Sequence, residues 1–295
     1  MDRSGREKPI PIPPGPYNPL DISPDGRKLL LARFDSLEQN WTLWSYGLVD
    51  GASTKLAGPS PDLIVACWSR DGRKVIFGSK QNDRALGEIL EKSSDGTGPE
   101  TQLTAHEFFG HFPQTASPDG KWIGFVLGTI PKTKGDIWLL DLRQPGHPVS
   151  RPFVQSPGWD ANPAISPDGR WIAYGTTADG PARILLQPFP DGGPPLTVTT
   201  GGTGPMWSPD GRTLYYRAGS LMMAVPVQPR IGSPVELFRG DYMSPHIWQR
   251  FQMLSPDGSH FLLVRQDPAS QMRRIDIVVN WFSELAGILS PKSYR

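Results

Sequence analysis

The sequence predicts an all-β chain, a six-bladed β-propeller with four antiparallel strands per blade, and three observations predict it. A ten-residue phrase, SPDGRKLLLA at 23–32, returns as SRDGRKVIFG, SPDGKWIGFV, SPDGRWIAYG, SPDGRTLYYR and SPDGSHFLLV. Its aspartates, Asp25, Asp71, Asp119, Asp168, Asp210 and Asp257, lie 46, 48, 49, 42 and 47 residues apart. A repeat period in the forties built from strands is what propeller blades produce. Between the phrases run short apolar stretches punctuated by 32 glycines and 33 prolines, many turns without low complexity.

The first element is KPIPI (Lys8–Ile12), which has no blade of its own. Paired with the last blade, it would close the ring and remove two raw sheet edges. Its prolines fit an outer strand, where a missing N–H costs least. Each repeat then carries a short first strand, such as IVACW (Ile64–Trp68) or NPAI (Asn162–Ile165). The turn follows. Proline presets φ, aspartate bonds to the backbone beside it, and glycine takes the left-handed position. Asp25–Gly26, Asp71–Gly72, Asp119–Gly120, Asp168–Gly169, Asp210–Gly211 and Asp257–Gly258 are therefore read as structural turns.

The second strand leaves the turn, as in KWIGFVL (Lys121–Leu127) and RWIAYGT (Arg170–Thr176). The third comes after a polar connection, as in DIWLLDL (Asp136–Leu142), and a short fourth ends the unit, as in SRPFV or LTVTT. Period-two alternation is weak because neighbouring blades cover both faces of each sheet. The sixth unit lacks a fourth strand and runs into SELAGIL, which reads as a short helix. The chain is thus expected to be a single domain over 1–295, with a closing strand within 1–14 and a helix and tail over 282–295. A seven-bladed ring completed by upstream residues is the alternative.

The turn-and-strand phrases resemble the WD40-like (PD40) repeat of TolB-like propellers, over nearly the whole chain. DIWLLDL with RPFVQSPGWDANPAISPDGRWIAYGTTADGPARILLQPFPDGG, then SLMMAVPVQ, IDIVVNWFSELAGIL (Ile275–Leu289) and DRSGREKPIP, resemble the propeller of bacterial serine/threonine protein kinases. That resemblance implies an upstream kinase, a membrane span outside this chain, an extracytoplasmic location and a sensor role. The chain itself has no glycine-rich loop before a lysine strand, no HRD and no DFG. As an isolated chain its expected location is cytoplasmic.

Composition narrows the partners. A net charge of +1, from 30 basic and 29 acidic residues interleaved, gives no basic stripe for nucleic acid. No apolar run reaches membrane-spanning length, and MDRSGREKPI lacks the apolar core of a leader. The single cysteine, Cys67, lies in the apolar run LIVACW and reads as a buried, inert thiol.

Chemistry-bearing motifs are few. HEFFGH (His106–His111) places its histidines five apart, about 140° around a helix at 3.6 residues per turn, unlike the one-face spacing of zincins. It falls in an expected loop, with Phe108 and Phe109 packed inward. No Gly-x-Ser-x-Gly elbow occurs. Trp44, Trp68, Trp138 and Trp207 read as core between blades, and Arg27, Arg73, Lys121, Arg170 and Arg212 as solvated hairpin residues. No catalytic residue, metal or cofactor is expected.

What remains is the channel mouth, where irregular loops meet on a rigid frame. AHEFFGHF, SPGWDAN, TGGTG and RGDYMSPHIWQRF bring His106, Glu107, His111, Trp159, Asp160, Asp241, Tyr242, His246, Trp248 and Arg250 as candidate binding residues. Such groups suit a protein, a peptide or a polar small molecule. The expected role is a non-catalytic binding or sensor module. The rivals are a metal-dependent propeller hydrolase acting on lactones or glycans, for which the first strands offer only Asp21, Gln114, Asn162 and Gln252, and a TolB-like envelope scaffold.

Overall fold

The computed structural model describes residues 7–10, 12, 15–61, 65–79, 87–104, 110–130, 133–144, 146–243, 250–266 and 273–279. It opens with β1 (Glu7–Pro9). One sheet holds β2 (Tyr17–Ile22), β3 (Lys28–Asp35), β4 (Asn40–Gly47) and β5 (Ser53–Ser60). The next holds β6 (Ala66–Trp68), β7 (Lys74–Ser79), β8 (Glu88–Ser93) and β9 (Thr101–Gln102). The third holds β10 (His111–Ala116), β11 (Trp122–Ile130), β12 (Thr133–Asp141) and β13 (Val149–Val154). The fourth holds β14 (Asp160–Ile165), β15 (Trp171–Thr176), β16 (Arg183–Pro188) and β17 (Leu196–Thr199). The fifth holds β18 (Thr203–Trp207), β19 (Thr213–Ala218), β20 (Leu221–Pro226) and β21 (Val235–Arg239). The last holds β22 (Gln252–Leu254), β23 (His260–Gln266) and β24 (Arg273–Val279), with β1 added outside β24. All pairings within these sheets are antiparallel, which makes the molecule a β-propeller.

Closure is carried by the N-terminal strand. Glu7, Lys8 and Pro9 stand opposite Val278, Ile277 and Asp276, so the outer strand of the last blade comes from the other end of the chain. The strand covers Glu7–Pro9 rather than Lys8–Ile12; Ile10 and Ile12 instead pack between the first and last blades. The helix expected over 282–295 lies outside the described residues, and among the described residues no helix forms.

The six turns repeat one hydrogen-bond pattern. Each serine hydroxyl donates to the aspartate two residues on, at 2.5–2.7 Å, as Ser23 does to Asp25 and Ser255 to Asp257. The same hydroxyl accepts the N–H of the residue that starts the next strand, as Ser117 does from Trp122 at 2.9 Å. The glycine N–H closes the turn on the serine carbonyl, 2.8 Å for Gly26 to Ser23. Gly72, at φ +69°, sits against Pro24 of the preceding turn: a Cβ there would lie 3.6 Å from its Cδ. Gly120 meets nothing within 4 Å, because the preceding turn carries Arg70 where its neighbours carry proline.

The core lies in the seams between blades. Leu30, Leu43 and Leu56 of the first blade pack on Trp68, Phe77 and Leu90 of the second. Cys67 and Ile76 meet Phe125 and Leu140, and Trp122 and Leu139 meet Tyr174 and Leu185. Ala173 and Ile184 meet Leu214 and Val225, and Tyr215 meets Phe261. Ile22 and Leu31 meet Met253 and Leu262, completing the circle. Because each sheet is covered on both faces, strands such as β7 and β15 are apolar on both sides.

Candidate functional site in the central channel

The first strands β2, β6, β10, β14, β18 and β22 stand next to one another around the ring and form the channel wall. Adjacent wall strands are stitched together. The Trp68 N–H donates to Asp21 Oδ2 at 2.9 Å, and the Ile165 N–H to Thr115 Oγ1 at 3.4 Å. The Trp207 indole N–H donates to the Ala164 carbonyl at 2.8 Å, and Gln252 Nε2 to the Gly204 carbonyl at 2.6 Å. Bulges in β2, β10, β14 and β18 turn the strands at mid-length, and Asn162 takes a left-handed φ of +53° at the one in β14.

Arg250, just before β22, sends its guanidinium across this space. It donates through Nη2 to the Pro163 carbonyl of β14, 87 residues away in sequence. Its positive charge also acts on Asp21 of β2 and Cys67 of β6. One side chain thus joins the sixth blade to the fourth and sets a positive charge near the first and second. Its Nε has no hydrogen-bond partner, and neither has Gln252 Oε1. Asn18 stands opposite Ala32 and Asp21 opposite Leu30, with the bulge between them, so both side chains leave the same side of β2. Asn18 is 1% exposed, and both its amide atoms lack a partner.

The electrostatics follow from confinement. Burial raises the Asp21 carboxyl to about 6, against the opposing pull of the Trp68 N–H, the Arg250 charge and the Ile22 N–H. A carboxyl that changes charge near neutral pH beside a fixed cation can accept or release a proton within reach of a bound molecule. Burial pushes the Cys67 thiol up, and the neighbouring Asp21 charge adds to it, so this thiol stays protonated and inert.

The residues expected at the mouth go to separate places. His106, Glu107, His246 and Trp248, with Phe108 and Phe109, lie outside the described residues. His111 begins β10 and is buried, with Nδ1 3.1 Å from Thr104 Oγ1 and its ring against Phe125 at 5.3 Å. Burial lowers its imidazole to about 4, so it is neutral at physiological pH. Tyr242 is buried in the seam between the fifth and sixth blades, under Arg217 and Arg265 at 5.7 and 5.1 Å. Asp241 beside it is exposed. Trp159 is half-buried and bridges Gly135, and Asp160 is fully buried next to it. Of the described members of the set, Arg250 alone enters the throat beside Asp21.

Sequence reading did not single out Asn18, Asp136 or Arg217 as polar groups held in the interior. For Asp21 a signal existed. Two residues before the turn serine, the other repeats carry Cys67, Thr115, Ala164, Met206 and Met253, and an acid there departs from the pattern. Among the described residues, no three His, Cys, Asp or Glu side chains come together.

Comparison with known proteins agrees with this architecture. No family model matches the chain. A stretch of 109 residues is 30% identical to an uncharacterized peptidase, YuxL, of Bacillus subtilis, covering 35% of this chain and 16% of that protein. The chain superposes on a TolB protein of Agrobacterium tumefaciens with a TM-score of 0.64 at 20% identity, over 92% of this chain and 96% of that one. An oligogalacturonate lyase in complex with manganese gives 0.61 at 15% identity, covering 93% of each chain. A gluconolactonase of Xanthomonas campestris gives 0.63 at 11% identity, over 93% of this chain and 89% of that one. The fold is that of TolB-like propellers.

Two expectations change. The sequence predicts a non-enzyme, but the same fold serves a lyase and a gluconolactonase, so the fold gives no ground for excluding catalysis. The resemblance to kinase-associated propellers finds no counterpart in these likenesses, and the kinase sensor role is dropped.

Proposed function

We propose that this propeller binds a polar ligand, a small molecule or the end of a peptide, in its central channel, with Arg250 and Asp21 as the recognising pair. The observation that supports it is the throat itself: Arg250 crosses the ring to Pro163 with its Nε unpaired, beside a carboxyl raised to about 6. Buried polar atoms without partners cost about 1–3 kcal/mol each, and a ligand that supplies the missing bonds recovers that cost. Asn18 and Gln252 Oε1 offer further contacts of the same kind. The test is a thermal-shift screen of peptides and hydroxylated or carboxylated small molecules, repeated on Arg250→Met. A ligand whose shift disappears in the variant supports the reading. Equal affinity for both proteins refutes it.

A second reading is favoured by the same carboxyl. Asp21 is placed to act as a general acid or base next to the Arg250 cation, an arrangement that suits a sugar acid or its lactone. Among the described residues no three His, Cys, Asp or Glu side chains gather to hold a metal, so this reading gives the proton transfer to Asp21 and derives no metal step. Incubation with oligogalacturonate and with a gluconolactone checks it. Turnover that disappears in Asp21→Asn supports it, and turnover retained in that variant removes Asp21 from the chemistry.

A further inference from the structure

Five of the six turns carry proline after the serine, and the second carries Arg70 instead. In four seams the proline ring stands against the glycine of the next turn. A Cβ on Gly26, Gly72, Gly169 or Gly211 would lie 3.6–3.7 Å from the Cδ of Pro256, Pro24, Pro118 or Pro167. Gly120, in the turn that follows Arg70, meets nothing within 4 Å. The tips of the second and third blades lack this contact, and a cleft of about 400 Å³ runs between them over Ile76, Ile123 and Leu142. The seam between the last and first blades also holds a cleft, but there Pro256 stands against Gly26.

The cleft meets a second cavity, a bowl of about 240 Å³ at the turn end of the channel. The last residues of four first strands line the bowl: Ala116, Ile165, Trp207 and Leu254. The prolines of the third to sixth turns stand around them. Arg70, Ala116 and Pro118 line both cavities, so bowl and cleft form one groove with Arg70 at the junction. Of the described residues lining the bowl, Arg70 alone is charged. The nearby acids are held elsewhere. Asp71 accepts from the Ser69 hydroxyl and the Arg73 N–H, Asp119 from the Ser117 hydroxyl and the Lys121 N–H, and Glu91 pairs with Lys74 at 2.5 Å. Among the described residues, no carboxylate pairs with Arg70.

An apolar bowl with one cation at its edge selects a carboxylate carried on an apolar group. Burial of the apolar part and a charge-assisted, two-pronged hydrogen bond to the guanidinium are then satisfied together. Beyond Arg70 the cleft presents both signs of charge, Lys74 with Glu91, Asp71 and Asp119, which suits the amides of a peptide rather than an alkyl chain. We propose that this groove receives the C-terminus of a partner peptide. Its last side chain, an apolar one, fills the bowl against Trp207 and Leu254, its carboxylate sits on Arg70, and the preceding residues run along the cleft. Neither Arg250 nor Asp21 lines the groove, so this site stands or falls apart from the throat.

The test titrates the full chain into tetrapeptides labelled at the N-terminus, with leucine last and the first three positions randomised, and reads fluorescence anisotropy. The free acid should bind saturably, and the C-terminal amide about ten- to a hundred-fold more weakly, for want of the charge-assisted bonds. Arg70→Pro restores the residue that the other turns carry, so it should fold with a Tm at least equal to the wild type's and lose the peptide. Arg70→Gln keeps the cleft and should bind acid and amide alike. Arg73→Gln, a charge change on the same hairpin outside the groove, should bind as the wild type does. No binding of the free acid, equal affinity of the wild type for acid and amide, or undiminished binding by Arg70→Pro overturns the proposal. Octanoate that binds as tightly as the peptide also overturns it, since the cleft then contributes nothing.

Discussion

Replacing Asp21 with asparagine tests the electrostatic account of the throat. The carboxyl is raised from 3.8 to about 6, chiefly by burial. A folded-state value above the unfolded one means that the folded protein binds this proton more tightly. The group's favourable contribution is therefore complete below pH 3.8 and is lost as pH rises through about 6. Two units at 1.36 kcal/mol each give a loss of about 3 kcal/mol between those limits. Asparagine keeps an oxygen to accept the Trp68 N–H, loses the acceptor of the Ile22 N–H at a cost that does not vary with pH, and has no charge to titrate. Urea unfolding of both proteins from pH 3.5 to 7.5 isolates the effect, because every other titrating group is common to the two. The wild type should lose about 3 kcal/mol relative to Asp21→Asn across this range, with the steepest change between pH 4 and 6. A difference that does not vary with pH refutes the reasoning, and one that grows in the opposite direction reverses its sign.

Other perturbations test the frame. Ser117→Ala removes the acceptor of the buried Trp122 N–H and should cost about 1–3 kcal/mol in denaturant unfolding, with the m-value unchanged. Trp122→Ala empties the seam where that ring meets Phe189 at 6.2 Å beneath Arg143 and Arg151, and should cost about 3–5 kcal/mol by the same measurement. Gly135→Ala would place a Cβ 2.8 Å from Trp159 Cε3; it should cost about 1–3 kcal/mol and shift the tryptophan emission as that ring moves. Acidification should weaken the turns. The Ser255 hydroxyl and the Ser259 N–H hold Asp257 down to about 2, so its stabilising effect is complete above pH 3.8 and is lost as pH falls through 2. Asp257→Asn should flatten the stability loss measured between pH 4 and 2.

The legible part of this protein is the part made within ten residues. Each turn closes its own hydrogen bonds between a serine, an aspartate and a glycine, so six copies of one phrase identify six hairpins without reference to the rest of the chain. The strands on either side follow from the spacing, and the unpaired sixth unit points to the N-terminal strand as its partner. Strand ends were less legible. The first strand of the fourth blade begins at Asp160, two residues before the expected Asn162, while the expected start of the second blade at Ile64 lies outside the described residues.

The candidate site was legible only in fragments. Arg250 and Asp160 stood out as polar residues in irregular loops, but His111 and Tyr242 look the same in sequence and are packed into seams instead. Loop position does not tell which side of a strand a residue occupies, and one bulge reverses the alternation that would have told it.

Sequence alone determined the repeat, its turns and its four-stranded units, because those rest on contacts between near neighbours. Tertiary structure decided that Arg250 reaches Pro163 and that Trp159 bridges Gly135. The reason is physical: these pairs come from different blades, and the closing of the ring sets their separation.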